Sequence, residues 1–424
     1  MMNYTEFLGY IYQRYSGNVK LGLDRIEGIL ADIGSPQNTL QGIHVAGTNG
    51  KGSVCASCEA LALAHGLRTG LNTSPHLIDY CERFRIDGQN AVFSDVLALF
   101  HRYEAVFTKW DASFFEITTA IAFQMLAERK VQTAIIEVGL GGRLDATNLF
   151  TPEVSVITTI GLDHIKTLGN TVELIAFEKA GIVKPDVPVV LGKIDESPMQ
   201  VILEQAKTQN AEVIRFGVDY NIGSIGLTQT GTSFDYKFKQ YEFNKLQSNL
   251  LGLHQAVNIS TALTAFLVYC EKVNIVPDEQ LIRFGLRNIN WMGRVQLLQS
   301  NPIVIVDGAH NLQGVQTFAE NLKALFPNRK LLMVISILAD KDYKHMLSAF
   351  APLAKCFYIS KNESDRAAEI DVQTRVVKAL GCEFKTAPTV REAYALALSD
   401  AAADDVVIGA GSLYTVAEII KAQS

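Results

Sequence analysis

The octapeptide Ala46 to Ser53, AGTNGKGS, carries the residue types that hold a phosphate chain. Glycines let backbone amides approach an anion, a lysine reaches terminal phosphates, and a nearby hydroxyl can ligate Mg2+. Against the usual G-x-x-x-x-G-K-[ST] pattern the first glycine comes late, and Gly52 separates Lys51 from Ser53. On this reading Gly47, Thr48, Asn49 and Gly50 wrap the phosphates, Lys51 reaches their end, and Ser53 takes the metal. The competing reading is a tight strand-to-helix turn with a solvated lysine.

A magnesium site also needs carboxylates. Glu137 follows the apolar run Ala134-Ile135-Ile136, where an acid is expensive to bury unless a cation or hydrogen bonds accept it. It reads as a metal ligand or as a capped loop acid. His164, in Gly161-Leu162-Asp163-His164, follows another apolar run and suits either a ligand or a structural role. Lys179 ends a helical stretch, where a cation is favoured by the helix dipole, and its position alone assigns it no chemistry. Cys55 and Cys58 form a C-x-x-C with no second ligand pair, so they read as buried small residues.

These side chains need a scaffold that brings strand ends together. The spacing predicts a strand at 43–46, the glycine loop, then a helix over 53–65. That is the order in which helix N-terminal amides face an anion. Further apolar strands are expected at 134–138, 154–159 and 187–191, with helices over 117–126 and 172–180. Apolar strands alternating with helices imply a mostly parallel sheet covered on both faces. The stretch TSFDYKFKQYEF, 232–243, alternates with period two, as an antiparallel hairpin does. Helices over 254–270 and 278–287 close this part. The pattern restarts with strands at 303–307, 331–335, 356–359 and 406–408 and a helix over 312–326. The fold class is therefore α/β: a domain over 1–292 that carries the phosphate loop on a mostly parallel sheet, and a smaller Rossmann-like domain over 293–424. Asp307-Gly308-Ala309-His310-Asn311 and Gly409-Ala410-Gly411-Ser412 fall just past strands, at the edge where open α/β sheets bind ligands.

The 424 residues carry a net charge of −6, 48% hydrophobic and 19% charged residues. This describes a soluble globular chain and argues against a nucleic-acid partner. The start, MMNYTEFLGYIYQRY, reads as an amphipathic helix rather than a signal peptide, and no apolar run suggests a membrane span. Six scattered cysteines fit reduced thiols in a cytoplasm.

Together these stretches resemble the folylpolyglutamate synthase/dihydrofolate synthase family, relatives of the Mur ligases. The match is carried by AGTNGKGS at 46–53, TSPHL at 73–77, ERFRIDG at 82–88 and FFEITTAIAF at 114–123. EVGLGGRLDATN at 137–148, GLDHIKTLG at 161–169 and EKAGIVKP at 178–185 follow. HQAVN at 254–258, Gly293-Arg294, DGAHN at 307–311 and GSLY at 411–414 complete it. The resemblance implies two Mg2+ sites, one from Ser53, Ser74 and Glu137 and one from Glu137, His164 and a carbamylated Lys179. A monovalent cation is a further cofactor it allows. It implies that Asn258, Arg294, Asp307 and His310 approach ATP and that Ser412 and Tyr414 approach glutamate. A pterin would lie against the loop carrying Pro75, His76 and Arg83 and against Asp145. The implied reaction joins L-glutamate to dihydropteroate or reduced folates through an acyl phosphate, in a cleft between two domains. The implied partners are small molecules alone, and the expected chain is a monomer.

Two other readings fit less well. Mur ligases carry a nucleotide-sugar domain ahead of the ATP loop, whereas 46 residues precede Gly47 here. A guanine-specific switch needs N-K-x-D, and the nearest string, Asn244-Lys245-Leu246-Gln247, lacks the acid. Within the family, ERFRIDG and the Asp145 turn favour a bifunctional enzyme over one limited to either substrate.

Overall fold

A computed structural model describes residues 2–14, 22–228 and 230–423. Met1 and Tyr15, at the ends of the expected first helix, lie outside them; the helix itself runs Tyr4–Gln13. The chain divides into two compact units. The first comprises Met1–Gly223, Asp235–Leu246 and Val257–Asn290, and the second Ser224–Phe234, Gln247–Ala256 and Trp291–Ser424. Besides the expected stretch from 293 onward, the second unit thus takes in two short segments near residue 240. The reason is packing: Leu227 and Leu251 join its hydrophobic core.

The first unit is built on β1 (Gly42–Ala46), β2 (Thr69–Asn72), β3 (Phe84–Ile86), β4 (Gln89–Asn90), β5 (Thr133–Glu137), β6 (Val154–Ile157), β7 (Val189–Leu191) and β8 (Val213–Arg215). They form one sheet in the order β4-β3-β2-β5-β1-β6-β7-β8. The six strands from β2 to β8 in that order are parallel, and β3 and β4 add an antiparallel edge. β1 and β5 are buried along their whole length, as expected for strands covered on both faces. Ile136 faces a core shared with the helices Phe93–Lys109 and Phe114–Glu128. Val138, two residues on, joins the core under Val172–Ala180 and Glu196–Thr208.

Short polar or exposed segments were invisible to the apolar pattern. Thr69–Asn72 and the 84–90 hairpin are strands only because the sheet supplies their partners. The 232–243 stretch belongs to a three-stranded sheet of β9 (Tyr220–Thr228), β10 (Gly231–Phe238) and β11 (Tyr241–Ser248). The second unit carries β12 (Gln296–Ser300), β13 (Ile303–Val306), β14 (Leu331–Ile335), β15 (Ala354–Lys361), β16 (Phe384–Thr389) and β17 (Val406–Ala410). Their order is β12-β13-β17-β14-β15-β16, parallel except for β12 against β13. Among the described residues no helix is long and apolar enough to cross a membrane.

Candidate active site

β1 delivers the glycine loop at the sheet centre, between β5 and β6. Gly47 (φ +149°) and Gly50 (φ +87°) adopt backbone that other residues rarely enter. A Cβ at Gly47 would stand 1.8 Å from Thr158 Oγ1, and one at Gly50 would stand 2.5 Å from Asn258 Oδ1. The helix Leu253–Val273 thus brings Asn258 onto the loop. Two expected phosphate donors are spent elsewhere. The Thr48 amide donates to the Thr159 carbonyl at 2.8 Å, and the Asn49 amide to Thr159 Oγ1 at 3.0 Å. These bonds pin the loop to the end of β6. The first bond of the following helix, Lys51–Ala64, runs from Val54 N to Gly50 O, so the amides of Lys51, Gly52 and Ser53 open that helix toward an anion. Cys55 and Cys58 lie buried within it as free thiols, as expected.

Lys51 and Lys179 converge on one atom: each Nζ donates to the Gly47 carbonyl at 3.0 Å. Lys179 is buried at the end of the helix Val172–Ala180. Burial, and then the Lys51 charge, draws its pKa down to about 7 against the pull of Asp163 and Asp145. Its neutral form is thereby accessible near neutrality. Asp163, passed over in the sequence, is the acidic neighbour with the largest pull on it.

Glu137 ends β5 opposite Val45 of β1 and is 5% exposed. It accepts the Ser74 amide at 3.0 Å, so the loops after β2 and β5 meet. Ser53 is buried at the head of its helix. Serine hydroxyls and a carboxylate are the hard oxygen donors that suit Mg2+. Among the described residues no three His, Cys, Asp or Glu side chains converge on a metal position. The metal reading therefore depends on this mixed set. His164 stands exposed at φ +49°, as N-cap of the short helix Ile165–Leu168, with its amide on Asp163 at 2.8 Å.

Behind the cis Ser74–Pro75 bond, Glu82 accepts the amides of Leu77, Ile78 and Asp79 at 2.7, 2.9 and 2.8 Å. A loop that winds around one carboxylate is held rigidly, a role for Glu82 that its spacing did not reveal. Arg83 Nε donates to His76 Nδ1 at 2.8 Å, and its guanidinium covers the Phe114 ring at 5.1 Å. Asp145 departs from expectation. Rather than offering a free carboxylate to a pterin, it accepts the Leu140 amide and both the amide and hydroxyl of Thr147, at 2.8, 3.0 and 2.5 Å. Burial raises its pKa against these bonds. It caps the turn Ala146–Leu149.

In the second unit Asp307 is buried and accepts the amides of Val295 and Ala309 at 2.9 and 2.8 Å, which sets the backbone beside Arg294. Burial raises its pKa, opposed by the Arg294 charge. His310 Nδ1 donates to the Gly308 carbonyl at 2.9 Å, fixing the tautomer. Ser412 also departs from expectation. At 1% exposed it bonds Asn362, Thr415 and the Ser336 carbonyl, a buried network that caps the last helix rather than a glutamate contact. Tyr414 is exposed.

Comparison with known proteins agrees with this architecture. Residues 45–266 match the Mur ligase middle domain, and residues 293–413 match the Mur ligase glutamate ligase domain. The dihydrofolate synthase/folylpolyglutamate synthase of Bacillus subtilis is 35% identical over 86% of both chains. The Escherichia coli protein of the same description is 33% identical over 98% of this chain and 94% of its own. The structure of Mycobacterium tuberculosis folylpolyglutamate synthase with ADP and AMPPCP superposes with a TM-score of 0.92 at 30% identity, covering 98% and 97% of the two chains. A bifunctional folylpolyglutamate synthase/dihydrofolate synthase with Mn, AMPPNP and L-glutamate bound superposes at 0.88 and 30% identity, covering 99% and 97%. An ATP-dependent ligase of the Mur type is the class that fold and site define. Within that class, the chain belongs to the dihydrofolate synthase/folylpolyglutamate synthase family.

Proposed function

We propose that the chain adds L-glutamate to dihydropteroate, forming dihydrofolate, and to reduced folates, forming folylpolyglutamates. The observation that carries this reading is the convergence of Lys51 and Lys179 on the Gly47 carbonyl at the head of a buried helix. The substrate carboxylate attacks the γ-phosphate of ATP, and ADP leaves. The glutamate amine then attacks the acyl carbon of the acyl phosphate and expels phosphate. Both steps gather negative charge at the phosphates. Lys51 swings from the Gly47 carbonyl to offset it, while the amides of Lys51, Gly52 and Ser53 hold the phosphate chain. Ser53, Ser74 and Glu137 would hold one divalent cation, and Glu137, His164 and carbamylated Lys179 a second. The cations supply further charge stabilisation for phosphoryl transfer. Carbamylation turns Lys179 from a cation that repels a metal into a carboxylate that binds one.

Asn258, on the glycine loop, is assigned to the nucleotide. His76, Arg83 and Phe114 offer a planar pterin a cationic and aromatic wall, for which Asp145 orders the adjoining turn. Tyr414 is the remaining candidate for glutamate. The enzyme is read as a cytoplasmic monomer. The test is a substrate panel of dihydropteroate and tetrahydrofolate, each with ATP, with and without glutamate. Steady ADP release is expected with both pterins and only when glutamate is present. Release that ignores glutamate would sink the ligase reading, and activity with one pterin alone would reduce it to a single activity.

A further inference from the structure

The loop after β5 and the end of the helix carrying Lys179 meet with no room for side chains. A Cβ at Gly142 would stand 3.1 Å from Lys179 Cα, and one at Gly181 would stand 2.5 Å from Arg143 Cα. Arg143 ties the loop to the helix twice, through its amide to the Glu178 carbonyl at 2.7 Å and through its guanidinium to the Glu178 carboxylate at 2.8 Å. Asn148 completes the clasp. Its Nδ2 donates at 3.0 Å to the Arg143 carbonyl and at 3.0 Å to the Gly181 carbonyl, two residues past Lys179. Among the side chains that carry no charge at neutral pH, only an amide has two N–H donors on one atom. Asn148 is 7% exposed, and among the described residues its Oδ1 has no hydrogen-bond partner. Asn148 therefore gives up one buried acceptor in order to bracket these two carbonyls, a cost a merely space-filling residue would not carry.

We propose that Asn148 is a positioning residue for Lys179, holding its helix end so that Nζ stays at the Gly47 carbonyl, where the amine takes up carbon dioxide. This rests on the reading of Lys179 as carbamylated. In that step the amine lone pair forms an N–C bond to CO2, one C–O π bond breaks to leave a carboxylate, and the nitrogen releases a proton to solvent. An amine displaced from its place takes up carbon dioxide less readily, since a misplacement of an ångström between reacting groups can cost about a hundredfold in rate.

The test uses the full chain with Asn148→Ala and Asn148→Ser, 13C-bicarbonate, and the carbamate carbon resonance as readout. Both variants should show carbamate occupancy down about tenfold at limiting bicarbonate, and ligase activity that returns as bicarbonate is raised. A purely structural role would lower activity without a bicarbonate response. Occupancy equal to wild type in both variants would overturn the proposal. If the alanine variant does not fold, the serine variant, which keeps one donor, decides the matter. Lys179→Ala is the control: a wild-type resonance that vanishes in it upholds the carbamate reading, so that a failure of the Asn148 variants falls on this inference alone. No resonance in wild type overturns both.

Discussion

Lys179 illustrates how one side chain acquires chemistry from its surroundings. At a helix C-terminus it would be an ordinary surface cation. Buried on the Gly47 carbonyl beside Lys51, it is an amine close to neutrality. Lys179→Ala should abolish turnover while the thermal transition stays near that of wild type, and short carboxylates should restore part of the activity. Near-normal turnover in that variant would refute the role. Gly47 is the second residue with no substitute. An alanine there must both hold φ +149° and place a methyl 1.8 Å from Thr158 Oγ1. Strain of about 1–3 kcal/mol is expected, which weakens ADP binding by about tenfold or more in calorimetry. ADP affinity unchanged in Gly47→Ala would mean that the loop is pliant.

At the scale of elements, the strand that feeds the phosphate loop is tied to the turn after β5 by a buried relay. Thr147 Oγ1 donates to Asp145, so it accepts from His44 Nε2 on β1 at 2.9 Å. Nothing in the pattern of apolar residues marks His44 or Thr147 as partners; they lie 103 residues apart. Thr147→Val removes the hydroxyl at constant shape and takes from the buried His44 Nε2 its acceptor, while Asp145 keeps the Thr147 and Leu140 amides. It should cost about 1–3 kcal/mol in urea unfolding, whereas Thr147→Ser should stay close to wild type. Equal stability of the two variants would remove the relay from the account.

At the scale of the whole molecule, the buried histidine makes stability depend on acidity. Burial, then the Lys184 charge, draws the His44 pKa down to about 3 from an ordinary value near 6.5. Between those values the unfolded chain binds a proton that the folded chain refuses. Stability is therefore full above about pH 6.5 and declines as pH falls toward 3. From pH 7 to pH 5 the loss from this residue is about 2 kcal/mol. His44→Gln should flatten that part of the pH profile of urea unfolding, and a profile equally steep without His44 would assign the loss elsewhere.

The sequence by itself determined the α/β class and the strand–loop–helix around AGTNGKGS, because apolar periodicity and glycine spacing are local properties read along the chain; the family was legible in the resemblance of its ordered motifs. Strands such as Thr69–Asn72 escaped it, being strands only through their neighbours. Only the tertiary structure decided what each polar group is spent on. The Thr48 and Asn49 amides belong to β6 rather than to a phosphate, Asp145 and Ser412 cap turns, and Lys179 shares a carbonyl with a lysine 128 positions away. A hydrogen bond needs a partner within about 3 Å; for the Thr48 and Asn49 amides and for Lys179 that partner lies far along the chain, brought near only when the sheet sets its strand ends side by side.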